Sequence, residues 1–402
     1  VVGRAAAVAV LAGTVAAGTV AVSPAEAHAG GSRVTSVTVL GTTPVGTFNG
    51  AAYVRVFGTL TGIVAAGERV AGLAGDTPYA AQFELITAAP GQPRSNAVLV
   101  EAENRGSPLL LASLQNLQLS GPPSTIVYPA GLGNGFLQNN GLAWARVQWQ
   151  GPNAAAVVNP TIPLTAQGVG EVIVRDFGLL LRGTPIGRSA GLPRFDRALL
   201  AGVSQSAWFV NTFIAEGFNA APGRVLDGAY TQNGVGNWLA INQINAARGV
   251  TDQTPYGQPN GVPLAPTELL RRPLTDPFLV DTTAYTDFHR VRASVWNTAR
   301  LPAPAREYNL PVAHASAASQ PLGTTAAQSG CPALSPSPVL NPSDGRPFAR
   351  AAVLGLAPRG RRPQVCAARR RCSPRPPGSH CGPGRPRRIR RCRCSTRCPA
   401  PA

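Results

Sequence analysis

The sequence contains no lysine, so all 36 of its basic side chains are arginine. A coding bias toward arginine accounts for that without any functional demand. Charge of either sign is scarce: charged residues make up 13% of 402, and only 18 are acidic. The net charge of +18 is unevenly spread. Fourteen arginines and no acid lie between Arg359 and Ala402, which leaves 22 basic against 18 acidic side chains elsewhere. A near-neutral body with a basic tail is a poor footprint for nucleic acid, and no basic residues interleave with aromatics as a single-strand platform would need. The expected partners therefore exclude nucleic acid. Histidine is rare as well, with four in the chain. The body offers too few at ligand spacing for a metal enzyme, and no cofactor is expected.

What is present is apolar. Hydrophobic residues make up 44% of the chain, enough for one large or two medium domains with a real core. Glycine (44) and proline (39) predict long loops and short elements. At the N-terminus, Arg4 is followed by the Ala-rich run AAAVAVLAGTVAAGTVAV, then Pro24 and a small-residue site at Ala27-His28-Ala29. This reads as an export signal spanning 1–29, cleaved after Ala29. A permanent anchor is the competing reading, but the alanine and glycine content makes the run weakly hydrophobic. The expectation is a secreted or cell-envelope protein with no stable membrane insertion after cleavage.

RVTSVTVLG and YVRVFGTLTGIV follow as early strands, then AAQFELITA (80–88), NAVLVEAE (96–103) and LAWARVQWQ (142–150). A helix is predicted over about 166–182. Further strands are predicted at RALLAGV (197–203), GRVLDGAY (223–230), PFLVD (277–281) and REYNLPV (306–312). Residues 231–275, rich in Gly, Asn, Gln and Pro with a short helix near WLAINQINAA, have the size and place of a lid. Early strands followed by alternating strands and helices indicate an α/β sheet with an antiparallel beginning in a single domain, 30–356. The tail, 357–402, carries six of the seven cysteines. A disulfide knot or a zinc site beside His380 and Cys381 would suit the cysteines, but the tail has almost no apolar core and no recurring ligand spacing. It reads as disordered or frame-shifted.

Near the middle of the chain stands GVSQSAW, residues 202–208. An apolar strand leads in, and helically spaced apolar residues follow, which is the context of a serine nucleophile on a tight turn. Ser204 is the candidate nucleophile, although Ser206 stands where G-x-S-x-G has its second glycine. A serine needs a base, and the base needs an acid that fixes its tautomer. His28 leaves with the leader, so the bases are His289 and His314. His314 follows the last strand, in the chain order nucleophile, acid, histidine. His289, in DFHRVRA, reads as a surface or packing residue. Asp281 and Asp287 both qualify as the acid, with Glu307 as an outsider, and the residues alone do not choose. Oxyanion donors are expected from the backbone of Gln205 and from the ENRGSP loop at Arg105 and Gly106.

Together these stretches resemble the alpha/beta hydrolase domain-containing proteins, bacterial serine hydrolases of the alpha/beta-hydrolase superfamily. The resemblance runs from about 32 to 356 and rests on NAVLVEAENRG, GLAWARVQWQG, VIVRDFGLLLRG, GVSQSAWFVNTFIAEGFN, GRVLDGAY, AYTDF, REYNLPVAHAS and SGCPALSPSPVLNPSDGRPFARAAVLGL. It implies Ser204 as nucleophile and His314 as base, and favours Asp287 over Asp281 because the related motif resembles Thr-Glu-Thr-Asp. Here that reads Ala284-Tyr285-Thr286-Asp287, so Tyr285 replaces an acid. Relatives resemble a histidine soon after GRVLDG, where this chain has Tyr230, Thr231 and Gln232. They also continue into a Trp-containing helix and a Pro-rich close, where this chain turns to arginine and cysteine. The implied activity is hydrolysis of a small or lipid-like carboxylic ester through an acyl-enzyme. The rivals are a noncatalytic binding protein on the same fold, or an amidase, lipase or polyester depolymerase.

Overall fold

The computed structural model describes residues 19–21, 31–119 (save 69, 71, 94 and 118), 132–150, 159–162, 166, 168–220, 223–239, 263–285, 287, 296, 300–312 and 344–359. The chain divides into two compact units, Val1–Arg361 and Arg362–Ala402. Every described element belongs to the first. The arginine- and cysteine-rich tail from residue 360 on lies outside the described residues, as do His289 and His314. So does the expected leader, apart from Thr19–Ala21.

Ten strands form one sheet: β1 (Thr19–Ala21), β2 (Arg33–Phe48), β3 (Ala51–Val64), β4 (Thr77–Ala88), β5 (Ala97–Glu101), β6 (Leu142–Val147), β7 (Arg197–Val203), β8 (Gly228–Gln232), β9 (Phe278–Ala284) and β10 (Ala305–Leu310). Their order is β1-β2-β3-β4-β6-β5-β7-β8-β9-β10. The strands from β1 through β4 to β6 pair antiparallel, and those from β6 through β5 to β10 pair parallel. This is the α/β architecture expected from the sequence. Parallel strands need helical crossovers on both faces, so their residues are buried on both sides and read as continuous apolar runs.

Alternation along each strand divides two cores. In β7, Ala198 and Leu200 face one side while Leu199, Ala201 and Val203 face the other; β5 divides likewise into Val98 and Val100 against Ala97 and Leu99. The first side is covered by α3 (Val169–Leu181) and α5 (Gln205–Ala215), through residues such as Val172, Phe177, Phe209 and Phe213. The second is covered by α1 (Leu109–Gln115) and a C-terminal helix (Arg346–Arg359), through Leu110, Leu111, Val353 and Leu356. Shorter helices, among them α2 (Phe136–Asn139), α4 (Pro185–Ser189) and one turn at Pro266–Leu269, lie in the connections.

Several strand boundaries shift from expectation by a few residues, and two of the shifts bear on the site. β8 begins at Gly228 rather than 223, because the Asp227 carboxylate accepts the Ala198 N–H at 3.1 Å and pairs with Arg182 at 3.0 Å, stopping the ladder there. β9 runs on to Ala284, so Asp281 lies mid-strand and not at the strand end. Of the expected lid, residues 240–262 lie outside the described residues, including most of its expected short helix.

Candidate functional site

Ser204 follows the C-terminal end of β7, the strand between β5 and β8. Apolar RALLAGV forms β7, and the chain then reverses into α5 through one residue, Ser204, at φ 55° and ψ −120°. A non-glycine residue at positive φ costs on the order of 1–3 kcal/mol and persists only where its surroundings over-determine it. The Ser204 N–H donates to the Gln232 carbonyl of β8 at 2.9 Å. Gly202 is required by proximity: a Cβ there would stand 2.3 Å from the Ser206 carbonyl oxygen and 2.8 Å from the Ala207 nitrogen. At the position of the second motif glycine, Ser206 accepts the Val203 N–H at 2.8 Å and donates to the Val203 carbonyl at 3.0 Å. Half-buried Ser204 thus sits at the N-terminal end of α5, where the first amides, beginning with Gln205, lack helical acceptors and the helix favours negative charge.

The ENRGSP stretch lies beside this turn. Asn104 and Ser107 exchange backbone hydrogen bonds at 2.9 and 3.0 Å, with Arg105 (φ 52°) and Gly106 (φ 79°) between them. Both central residues are left-handed, the conformation of a two-residue type I′ turn. The Asn104 side-chain amide donates to the Val203 carbonyl at 2.8 Å, joining this turn to the residue before Ser204. The Arg105 N–H is engaged with Gln150 Oε1 at 3.1 Å. Of the two turn amides, that of Arg105 is thus held by a side chain from beyond β6. Arg146 holds the turn from beneath, donating to the Gly106 carbonyl at 2.8 Å and to Glu103 at 2.7 Å. Burial raises the Glu103 carboxyl above its usual range while the Arg146 charge opposes the rise.

The two candidate acids occupy different environments. Asp281 is fully buried in β9 and accepts from Thr231 Oγ1 (2.6 Å), Thr283 Oγ1 (2.7 Å), Val235 N (3.1 Å) and Gly234 N (3.2 Å). Burial raises its pKa, and these donors pull it back. One oxygen is occupied by β8 and the turn that follows it, the other by Thr283 of its own strand. Asp287 is also buried but lies past the strand end, two residues after Tyr285, whose N–H donates to the Val312 carbonyl at 3.1 Å. That bond ties Tyr285 to the second residue past the end of β10. Tyr285, at the position of the motif's acid, is half exposed. Glu307 pairs in register with Asp281 inside β10, and burial followed by the Asp281 charge raises it to about 7.

Sequence reasoning passed over Asn104, Gln150 and Arg146. A signal was present: Glu101, Glu103 and Arg146 interrupt otherwise apolar strand stretches, and buried charges are retained only where they are paired. Among the described residues no group of three or more His, Cys, Asp or Glu is arranged to hold a metal ion, and no helix is long and apolar enough to cross a membrane.

A family model described as alpha/beta hydrolase domain matches residues 136–356. Among solved structures, esterase Est22 with p-nitrophenol is similar over 75% of this chain and 80% of its own, at 10% identity and a TM-score of 0.39. A glucuronoyl esterase from Solibacter usitatus is similar over 73% and 84%, at 12% identity and 0.35. Carboxyl esterase 2 from the mycorrhizal fungus Tuber melanosporum is similar over 62% and 74%, at 10% identity and 0.30. No curated protein matches the sequence.

Proposed function

The chain belongs to the alpha/beta hydrolase domain family, and on that basis we propose that it is a serine-dependent carboxylic-ester hydrolase. The observation that carries the reading is Ser204, held at φ 55° between β7 and the N-terminus of α5 with the Asn104–Ser107 turn tied to the preceding residue.

In this reading His314 takes the Ser204 hydroxyl proton as the oxygen attacks the ester carbonyl. The carbonyl π pair moves to oxygen, and the backbone N–H groups of Gln205 and Gly106 hold the resulting oxyanion. Collapse expels the alcohol, which receives the proton from His314 and leaves an acyl-Ser204. Water, deprotonated by His314, repeats the attack and releases the carboxylic acid. Asp287 orients the imidazole. Asp281, saturated by four donors inside the sheet, serves the packing of the turn after β8. The leader-like segment 1–29 supports secretion or residence in the cell envelope.

The test is labelling by a fluorophosphonate probe together with hydrolysis of p-nitrophenyl esters of increasing chain length. Ser204→Ala is expected to abolish both, and Asp287→Asn to lower kcat on the order of 10⁴-fold, as loss of a tautomer-fixing acid does. A folded wild-type chain that neither labels nor hydrolyses any ester of the series would leave the noncatalytic binding protein as the better reading.

A further inference from the structure

Accepting that hydrolase reading, we infer that Asn104 and Ser206 are positioning residues that lock the oxyanion turn and the nucleophile turn into one unit through the backbone of Val203. Val203 is the last residue of β7. Its N–H donates to Ser206 Oγ at 2.8 Å, and its carbonyl accepts from Ser206 Oγ at 3.0 Å and from Asn104 Nδ2 at 2.8 Å. The other half of the Val203–Ser204 peptide, the Ser204 N–H, donates to Gln232 of β8. Both polar groups of the peptide that enters Ser204 are therefore held, by two side chains on one side and the neighbouring strand on the other.

The geometry matters because the hole and the nucleophile come from different parts of the chain. Gly106 is about a hundred positions from Ser204 in sequence, yet its amide must lie at hydrogen-bonding distance from an oxygen bonded to the carbon that Ser204 attacks. Preorganised donors are effective only when they need not move as charge develops. Asn104 begins the turn that carries Gly106 and has its N–H and carbonyl both bonded to Ser107. Its side chain is thus a direct connection from that turn to the peptide that sets the Ser204 Cα. Ser206 supplies the second fixation. A glycine at that position, as in G-x-S-x-G, would present no hydroxyl to Val203. The serine found here gives both polar groups of Val203 a partner within the turn.

The experiment uses the full chain with Asn104→Asp, Ser206→Ala and their combination, and a Ser206→Gly variant in case the alanine form fails to fold. Asn104→Asp keeps the shape but removes the donor; Ser206→Ala removes only the hydroxyl. Each is expected to lower kcat for a p-nitrophenyl ester about 10- to 100-fold with KM within about twofold, since the hydrogen bonds removed act on the transition state. Because the two bonds meet on one carbonyl, the combined variant is expected to lose much less than the product of the single losses. Independently of turnover, hydrogen–deuterium exchange at the 104–107 amides is expected to rise in Ser206→Ala and Ser206→Gly. Folded variants with native kcat, fully multiplicative losses, or unchanged exchange at the turn would each overturn the clamp. A wild-type chain that fails to label with fluorophosphonate counts against the hydrolase reading, whereas the exchange result judges the clamp alone.

Discussion

Glu101 ends β5 with 2% of its surface exposed, and its two carboxylate oxygens replace a missing helix cap. Oε1 accepts from Leu110 N at 2.6 Å, and Oε2 from Leu111 N and Trp144 Nε1, both at 2.9 Å. The residue at the formal cap, Pro108, contributes no side-chain bond. Burial nonetheless raises Glu101 to about 7. Glu171 in α3 goes further: burial first, then the nearby Glu216 charge, raise it from 4.5 to about 8. Between those two values the folded chain keeps a proton that the unfolded chain releases, so the stability tied to this group is complete below pH 4.5 and is lost as pH rises through about 8. Glu171→Gln, which cannot ionise, is therefore expected to unfold in urea with a stability that declines less between pH 5 and pH 9 than that of the native chain. Parallel pH profiles for the two proteins would contradict this.

Among the elements, the strand–turn–helix unit β7–Ser204–α5 has little room. The Gly202 Cα faces the backbone of Ser206 and Ala207, where the neighbours are main-chain atoms that cannot rotate away. Gly202→Ala must push α5 off the strand end. The expected cost is ~1–3 kcal/mol, the usual range for overpacking a filled interior. Since the same shift displaces Ser204 and Ser206, fluorophosphonate labelling should slow at temperatures where circular dichroism still reports a folded chain. Retention of both native melting and native labelling would mean that the junction is looser than its distances indicate. The edge of the sheet is built differently. β2 and β3 are 16 and 14 residues long and pair with three register shifts, the irregularities that accentuate twist in a long antiparallel ribbon.

The compact unit Val1–Arg361 contains every described strand and helix. The family match ends at 356, inside the C-terminal helix that covers β8 and β9 and runs to Arg359. A chain ending at Arg361 is expected to melt within about 2 °C of the 402-residue protein, a shift worth less than ~1 kcal/mol for a domain of this size. It should also keep its labelling by fluorophosphonate. A large drop in melting temperature would show that residues after Arg361 contribute to the fold although Val365 and Ile389 are their only large aliphatic side chains.

The fold class and the strand–serine–helix unit were legible in the sequence, because both follow from local patterns: continuous apolar runs in buried parallel strands, and small residues where a strand must turn sharply into a helix. The same reading made Asp287 and Asp281 candidates without separating them, since a carboxylate's role depends on what surrounds it. Folding surrounded Asp281 with four donors from β8, its following turn and β9, and tied Tyr285, two residues before Asp287, to the second residue past the end of β10. The same holds for the Arg105 amide, engaged by a glutamine 45 positions away, and for Asn104, which reaches a carbonyl 99 positions away. Such bonds join residues distant along the chain, and nothing in local periodicity encodes which of them the folded sheet brings together.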